Sequence, residues 1–208
     1  LIDRSGVGSP MRERLLDVLD EAMFASAAGE LIDVDFSIDP DMPLVDDIVT
    51  MERLKTAVYS FETPLQAGAI LAGASEDTVR TLGDFGREIG IAYQIVDDVL
   101  GVFGEEEATG KTTIGDLREG KRTVMIAFAC STPAWARLCD LIGKVDLSLD
   151  EADEARSLLI ACGARAFADD LARGYANRAL ARLAEPHIPA SLRDELHPVA
   201  ETVLKRVR

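Results

Sequence analysis

Apolar residues recur every three or four positions along most of the chain, which is the spacing of one face of a helix. Ser9 and Pro10 pair a hydroxyl N-cap with a proline suited to the first turn, so they predict a helix start. The apolar positions that follow predict that this first helix ends near Ala28. Ser75 predicts another start, because acidic residues fill the turn after it, where the helix dipole favours anions.

The longest apolar pattern predicts one helix over residues 79–103. Its apolar positions are Leu82, Phe85, Ile89, Ala92, Val96, Val99 and Phe103. Upstream, a predicted helix carries Met51, Leu54, Val58 and Phe61. Further predicted helices cover residues 123–130, a segment from Leu149, and residues 167–184 and 190–207.

No stretch alternates apolar and polar residues with the period of two that a strand requires. Residues 104–120 have no period and are predicted to form a polar loop. Helices joined by short links give an all-α fold, and we expect one domain over residues 1–208.

Composition narrows the classes of protein. The chain has 208 residues, of which 48% are hydrophobic, enough for one sizeable core. A formal charge of −15 argues against a nucleic-acid partner. No apolar run approaches the roughly 18 residues of a membrane span. Three cysteines without a CxxC pair suit a reducing cytoplasm, where we expect this protein.

Residues 93–113, YQIVDDVLGVFGEEEATGKTT, contain two patterns associated with phosphate binding. A P-loop needs four residues between its first glycine and Gly-Lys-Thr, but five separate Gly104 from Gly110. Three of those five are glutamates, and a helix rather than a strand precedes them. These departures disfavour a P-loop.

The second pattern is a pair of aspartates on the long predicted helix. Gln94, Asp97, Asp98 and Gly101 are three or four residues apart and share one face. Two carboxylates on a mostly apolar helix are costly to bury, and Mg²⁺ would compensate because it prefers carboxylate, water and phosphate oxygens. A solvated helix face is the alternative, and it suits the chain's other Asp-Asp pairs.

Three segments resemble the trans-polyprenyl diphosphate synthases, in the order that the family has them. GIAYQIVDDVLGVFG and TGKTTIGDLREGKRT resemble the second aspartate-rich region. RLKTAVYSFETPLQAGAILAG resembles the Lys-Thr helix, and AAGELIDVD resembles the Gly-Gln-x-x-Asp helix, with Glu30 in place of glutamine. The resemblance implies an isoprenoid-synthase-type helical bundle around a central cavity.

The resemblance also implies an activity, the Mg²⁺-assisted ionisation of an allylic diphosphate and its condensation with isopentenyl diphosphate. It implies Mg²⁺ binding by Asp97 and Asp98, the first usually as the direct ligand. The residues implied to contact diphosphate are Lys55, Lys111 and Lys121. Thr56 is implied to break the helix locally and, with Gln94, to face the developing carbocation. Dipoles there would steady the cation without trapping it.

Two departures from the family pattern keep alternatives open. The third position of Asp-Asp-x-x-Asp is Gly101. The family's first aspartate-rich motif and its N-terminal basic set are absent, so we expect N-terminal helices to be missing from a longer, homodimeric enzyme. A non-catalytic partner subunit is an alternative. A terpene cyclase is another, disfavoured by the Lys-Thr helix and the Gly-Lys-Arg-Thr segment.

Overall fold

The computed structural model describes residues 6–104 and 114–206, and within them the regular structure is entirely helical. The helices are α1 (Ser9–Ile38), α2 (Val45–Glu52), a π-helix (Arg53–Glu62), α3 (Thr63–Leu71), α4 (Glu76–Phe103), α5 (Gly115–Glu119), α6 (Val124–Cys130), α7 (Trp135–Leu138), α8 (Leu149–Ala161), α9 (Ala164–Leu183) and α10 (Ala190–Arg206). The predicted all-α class is therefore confirmed. None of the described helices is long and apolar enough to cross a membrane.

Helix α4 is the centre of the bundle, packed chiefly against α9 on one side and the π-helix on the other. It begins as predicted after Ser75, whose hydroxyl accepts a hydrogen bond from the Thr78 backbone N–H. Phe85, Ile89 and Ile95 are fully or almost fully buried along it. Because α4 also carries the Asp-Asp pair, the candidate site lies on the best-anchored element of the fold.

Helix α1 is longer than its pattern predicts, and the predicted end near Ala28 is wrong. The helix continues to Ile38 and ends before Pro40, which holds Asp39 in an extended conformation. Gly29 lies inside this helix and packs against a neighbouring element. A Cβ there would lie 2.3 Å from the Lys55 backbone nitrogen, so the missing side chain lets α1 contact the π-helix backbone.

The segment predicted as one helix through Met51 and Phe61 changes type at Arg53. Residues Arg53–Glu62 form a π-helix, whose backbone hydrogen bonds span five residues rather than four. The predicted break at Thr56 is therefore a change of helical register, with no interruption of the helix. Gly90 of α4 packs against this segment, since a Cβ on Gly90 would lie 2.6 Å from the Cβ of Ala57.

The stretch predicted as a polar loop, residues 104–120, contains a short helix, α5. Its last turn ends at Gly120, which has a φ of 68° and so adopts a conformation that favours glycine. The chain then turns directly into α6. Lys111 belongs to residues 105–113, which lie outside the described part of the chain.

Replacing Gly29 with alanine tests the close packing of α1 on the π-helix. We expect the added Cβ to push the two backbones apart and to lower the free energy of unfolding by about 1–3 kcal/mol. Gly68 is a matched control, because it is helical and exposed, and a Cβ added there would have no neighbouring atom within 4 Å. Gly68→Ala should leave stability equal or raise it by up to about 1 kcal/mol in urea titrations. Equal midpoints for the two variants would contradict the packing.

Candidate functional site

A cavity of about 50 Å³ lies between α1, α2, the π-helix, α4 and the turn after α5. Its lining residues are Asp33, Met51, Glu52, Lys55, Thr56, Gln94, Asp98, Lys121 and Arg122. The structure thus brings together the predicted residues Lys55, Thr56, Gln94, Asp98 and Lys121. These residues come from segments far apart in the sequence, so their meeting is a property of the fold.

Asp98 is the buried anion of the cavity, with a residue exposure of 3%. Its Oδ1 accepts hydrogen bonds from the Lys121 ammonium at 2.7 Å and from the Gln94 amide at 3.0 Å. Burial raises the pKa of Asp98, although Lys121 and Gln94 oppose that shift. The carboxylate is therefore held in place from two elements, α4 itself and the turn that follows α5.

Lys121 faces several carboxylates at once. Burial alone would lower the pKa of its ammonium, but Asp98, with further contributions from Asp116 and Asp97, raises it above the usual value. The turn at Gly120 fixes the position of the lysine, because the Lys121 N–H donates to the Asp116 carbonyl at 3.1 Å. Lys121 thus remains protonated at neutral pH.

Lys55 supplies a second ammonium group from the π-helix. Its Nζ lies 2.6 Å from Asp33 Oδ2 and 3.0 Å from Glu30 Oε2, both on α1. Burial acts to lower the pKa of Lys55, and these two carboxylates raise it overall. The sequence pattern included Asp33 in the matched Gly-Glu-x-x-Asp segment without giving it a role. Its contact with Lys55 shows that the segment positions a site lysine.

Glu52 is a site residue that the sequence pattern did not single out. It is 2% exposed, and no nitrogen donor among the described residues reaches its carboxyl oxygens, so its neighbour is the Asp98 carboxylate, to which a protonated Glu52 donates a hydrogen bond. Burial raises its pKa well above the usual value, and the nearby Asp98 adds to the shift. A signal existed in the sequence, because Glu52 follows the fully buried Ile48 by four residues and so falls on the apolar face of α2.

Asp97 lies beside this cavity rather than in its lining. It is half-buried, and no hydrogen bond or ion pair to another described residue engages its carboxylate. Asp97 is nevertheless close enough to Lys121 to contribute to the raised pKa of that lysine. The two adjacent aspartates therefore differ: Asp98 is enclosed and paired, whereas the Asp97 oxygens have no partner within the described part of the chain.

The donor set fits a hard divalent cation that shares its coordination with other ligands. Asp97 offers carboxylate oxygens that no described residue engages, and the Asp98 carboxylate lies next to it on α4. Within residues 6–104 and 114–206, no group of three or more His, Cys, Asp or Glu side chains is arranged to hold a metal ion alone. Water and phosphate oxygens would complete the octahedron, as is usual for Mg²⁺.

The fold and the site together define an all-α bundle with a charged cavity, which is lined by two ion-paired lysines and by the helix that carries the Asp-Asp pair. The Polyprenyl synthetase family model matches residues 5–159, and the chain belongs to this family. It is 33% identical over 204 residues to the geranylfarnesyl diphosphate synthase of Aeropyrum pernix, covering 98% of this chain and 63% of that protein. It is 31% identical over 206 residues to the (2E,6E)-farnesyl diphosphate synthase of Mycobacterium tuberculosis (strain H37Rv), covering 95% and 56%.

Solved structures agree with this assignment. The geranylgeranyl pyrophosphate synthase from Corynebacterium glutamicum, complexed with isoprenyl diphosphate and magnesium, matches with a TM-score of 0.90 and 31% identity, over 98% of this chain and 58% of that one. A polyprenyl synthase from Caulobacter crescentus, complexed with calcium and isoprenyl diphosphate, has a TM-score of 0.82 and 32% identity, over 94% and 59%. The predicted isoprenoid-synthase-type fold is confirmed. The chain spans less than two thirds of the length of each of these relatives.

Glu52→Gln tests the raised pKa of the buried carboxyl group. Because the folded-state pKa of Glu52 is raised, the folded protein binds its proton more tightly than the unfolded chain does. Ionisation therefore destabilises the fold as pH rises above the usual value of 4.5. Glutamine resembles the protonated acid and removes this cost. We expect the variant to be more stable than the unmodified protein at pH 8, with the difference shrinking towards pH 4.

Urea midpoints at several pH values measure this difference. Glu195→Gln is the matched control, since Glu195 is exposed on α10 and has no ion pair among the described residues. The control should show the same stability as the unmodified protein at each pH. A Glu52→Gln variant that is less stable at pH 8 would mean that the carboxylate has a partner that the described residues do not reveal.

Proposed function

We propose that this chain carries the diphosphate-activating part of a prenyltransferase that condenses an allylic diphosphate with isopentenyl diphosphate to a longer trans-polyprenyl diphosphate. The observation that supports it is the meeting of Lys55 and Lys121 with Asp98 in one cavity, directly beside Asp97 on the same helix. The family membership supports the same reaction. We take residues 1–208 as one domain of the complete enzyme.

Ionising an allylic diphosphate separates a carbocation from a pyrophosphate group that carries several negative charges. Mg²⁺ held by Asp97 and Asp98 would supply part of the electrostatic stabilisation of this leaving group. Lys55 and Lys121 contribute fixed ammonium groups, which a diphosphate reaches by competing with their present carboxylate partners. Because the partners orient both side chains beforehand, little reorganisation is needed when charge develops. Lys111 is proposed as a third contact from the predicted motif.

Thr56 and Gln94 are proposed to face the positive carbon. Both line the cavity, Thr56 from the π-helix and Gln94 from α4. The Gln94 amide nitrogen donates to Asp98, which leaves the amide oxygen as the atom that can face a cation. An amide oxygen offers a negative dipole without the nucleophilicity of a carboxylate. In the complete enzyme, a closed helical shell around the cavity would exclude water, which would otherwise capture the carbocation.

Two further parts of the proposal concern the oligomeric state of the protein and its location in the cell. We propose a homodimer formed through an exposed apolar face of α1. Phe24, Leu31 and Ile38 are spaced by seven residues along this face, with exposures of 78%, 70% and 75%. We also propose the cytoplasm as the location, because Cys130, Cys139 and Cys162 are all free thiols.

The two adjacent aspartates should differ in catalysis. In the complete enzyme, Asp97→Ala should lower kcat by about 100-fold or more at saturating Mg²⁺, because a carboxylate that no lysine already engages is the better cation ligand. Asp98→Ala should lose far less turnover, since its Oδ1 is already occupied by Lys121 and Gln94. The measurement is steady-state condensation of isopentenyl diphosphate with an allylic diphosphate. Asp170→Ala is the control, as this exposed aspartate pairs with Arg173 on α9.

If Asp97→Ala keeps a near-normal kcat, α4 does not provide the diphosphate-activating face of the site. If the complete enzyme binds a bisphosphonate together with Mg²⁺ but has no condensation activity, a non-catalytic partner subunit becomes the better description.

Leu31→Asp tests the proposed dimer. A charge in the middle of the apolar α1 face should dissociate the homodimer or raise its dissociation constant by at least about tenfold, as a desolvated charge in an interface costs several kcal/mol. Light scattering coupled to size exclusion reports the mass. Ile160→Asp on α8 is the control, because Ile160 is also exposed and helical but lies away from α1. A dimer of unchanged affinity in Leu31→Asp would exclude this face as the interface.

A further inference from the structure

The π-helix, Arg53–Glu62, brings Lys55 and Thr56 to the cavity from its first turn. π-Helices are rare in proteins and occur frequently at functional sites. An unusual backbone arrangement of this kind persists where the surrounding structure holds it. The contacts that hold the register of the π-helix are therefore also contacts that position Lys55.

The π-type hydrogen bonding continues to the end of the segment. The Thr63 N–H donates to the Val58 carbonyl, five residues earlier. Pro64 comes next and has no N–H, so it cannot donate an α-helical hydrogen bond back to Ser60. The local sequence thus ends the π-helix here, but it does not determine how the segment is rotated about its own axis. A contact with another helix must set that rotation.

Arg87 of α4 makes this contact with Glu62, the last residue of the π-helix. Its Nε donates to Glu62 Oε2 at 3.1 Å, and its Nη2 donates to Glu62 Oε1 at 2.7 Å. A forked pair of this kind fixes the direction of a carboxylate as well as its distance. The backbones also approach closely, since a Cβ on Gly86 would lie 2.7 Å from Glu62 Cα. Asp84, 3.0 Å from Arg87 Nη1, holds the guanidinium from within α4.

We propose that the Glu62–Arg87 ion pair fixes the register of the π-helix and thereby keeps Lys55 in the cavity. Both are positioning residues, because they act through the helix and do not line the cavity. Without the pair, the extra residue of the π-helix can move along the segment or be lost to an α-helix. The segment then turns about its axis by up to about 100°, the angle between successive α-helical residues. Such a turn carries Lys55 away from Asp33 and Glu30.

The burial of Glu62 makes this pair a strong constraint. Glu62 is 8% exposed, and both of its carboxylate oxygens accept hydrogen bonds from Arg87. Removing the arginine leaves a buried charge without its partner, which is strongly unfavourable. The carboxylate would then move towards water and rotate the end of the π-helix with it. The effect of this rotation on a bound diphosphate rests on the proposed function, whereas its effect on the position of Lys55 does not.

The reactivity of Lys55 reports its position. Acetic anhydride modifies only the neutral amine, and mass spectrometry of peptides from the briefly treated complete protein gives the rate at each lysine. Burial acts to lower the pKa of Lys55, but Asp33 and Glu30 raise it overall, so they suppress the reactive form. Arg87→Ala should accelerate acetylation of Lys55 by about three- to tenfold, since the neutral fraction changes tenfold for each pKa unit.

Two controls separate a lost register from a general loosening of the fold. Arg178→Ala removes a comparable pair, in which Arg178 Nε on α9 donates to Glu88 Oε2 on α4 at 2.9 Å. This pair joins α4 to α9, so its loss should leave the rate at Lys55 unchanged. Lys144, which pairs with Glu151, is the reference within each sample, and its rate should stay constant in every variant.

A double-mutant cycle tests whether the two residues act as one unit. Glu62→Ala should accelerate acetylation of Lys55 as well, and it leaves no buried carboxylate unpaired, so it decides the question if Arg87→Ala does not fold. The double variant should react no faster than Arg87→Ala alone, because both changes break the same pair. Arg87→Lys keeps the charge but loses the fork, and it should react at an intermediate rate.

The outcomes separate the register from the proposed function. Unchanged rates at Lys55 in Arg87→Ala and Glu62→Ala would overturn the inference, and so would an equal acceleration at Lys144 or single effects that multiply in the double variant. Inorganic pyrophosphate with Mg²⁺, at about ten times its Kd, should slow acetylation of Lys55 in the unmodified protein by about tenfold, since only the free protein reacts. An absence of binding or of protection would count against Lys55 as a diphosphate contact, and the variants would still decide the register.

Discussion

The buried ion pair between Asp98 and Lys121 is the interaction on which the arrangement of the site depends. A carboxylate that is 3% exposed on a central helix needs a charged or hydrogen-bonding partner. Lys121 supplies it at 2.7 Å, and so ties the turn after α5 to α4. Asp116 of α5 accepts the Lys121 N–H with its carbonyl oxygen, which joins that turn to the helix before it. One pair therefore fixes a lysine, a second carboxylate and the start of α6.

Helices whose ends depend on local sequence signals could be predicted, whereas features that depend on tertiary contacts could not. The Ser75 cap and the apolar period of α4 are local signals, and they predicted the helix almost to the residue. The continuation of α1 beyond Ala28 could not be predicted from the sequence. The reason for a glycine at position 29 is the Lys55 backbone that packs against it, and this contact is seen only in the folded structure. The π-helix likewise has no sequence period of its own. The π-helix packs closely against Gly90 of α4 through Ala57, and this contact is known only from the tertiary structure.

The site residues also differ in whether the sequence alone predicts them. Lys55 was predicted from the resemblance to the family's Lys-Thr helix, and Asp98 from that resemblance together with its spacing on α4. The structure brings the two residues into one cavity. Glu52 was missed because its importance comes from a neighbour on another helix, Asp98 of α4. Glu52 left a faint local signal, a carboxyl on the apolar face of α2.

The carboxylates that pair with Lys55 and Lys121 couple the binding of a diphosphate to the binding of a divalent cation. A diphosphate entering alone would have to take Lys55 and Lys121 from their carboxylate partners and would leave those anions uncompensated. A divalent cation entering alone would meet two ammonium groups beside its ligands. When the two bind together, the diphosphate neutralises the lysines while the cation neutralises the aspartates. Each ligand removes the electrostatic cost of the other, so their binding is expected to be positively coupled, and either one alone is expected to bind weakly.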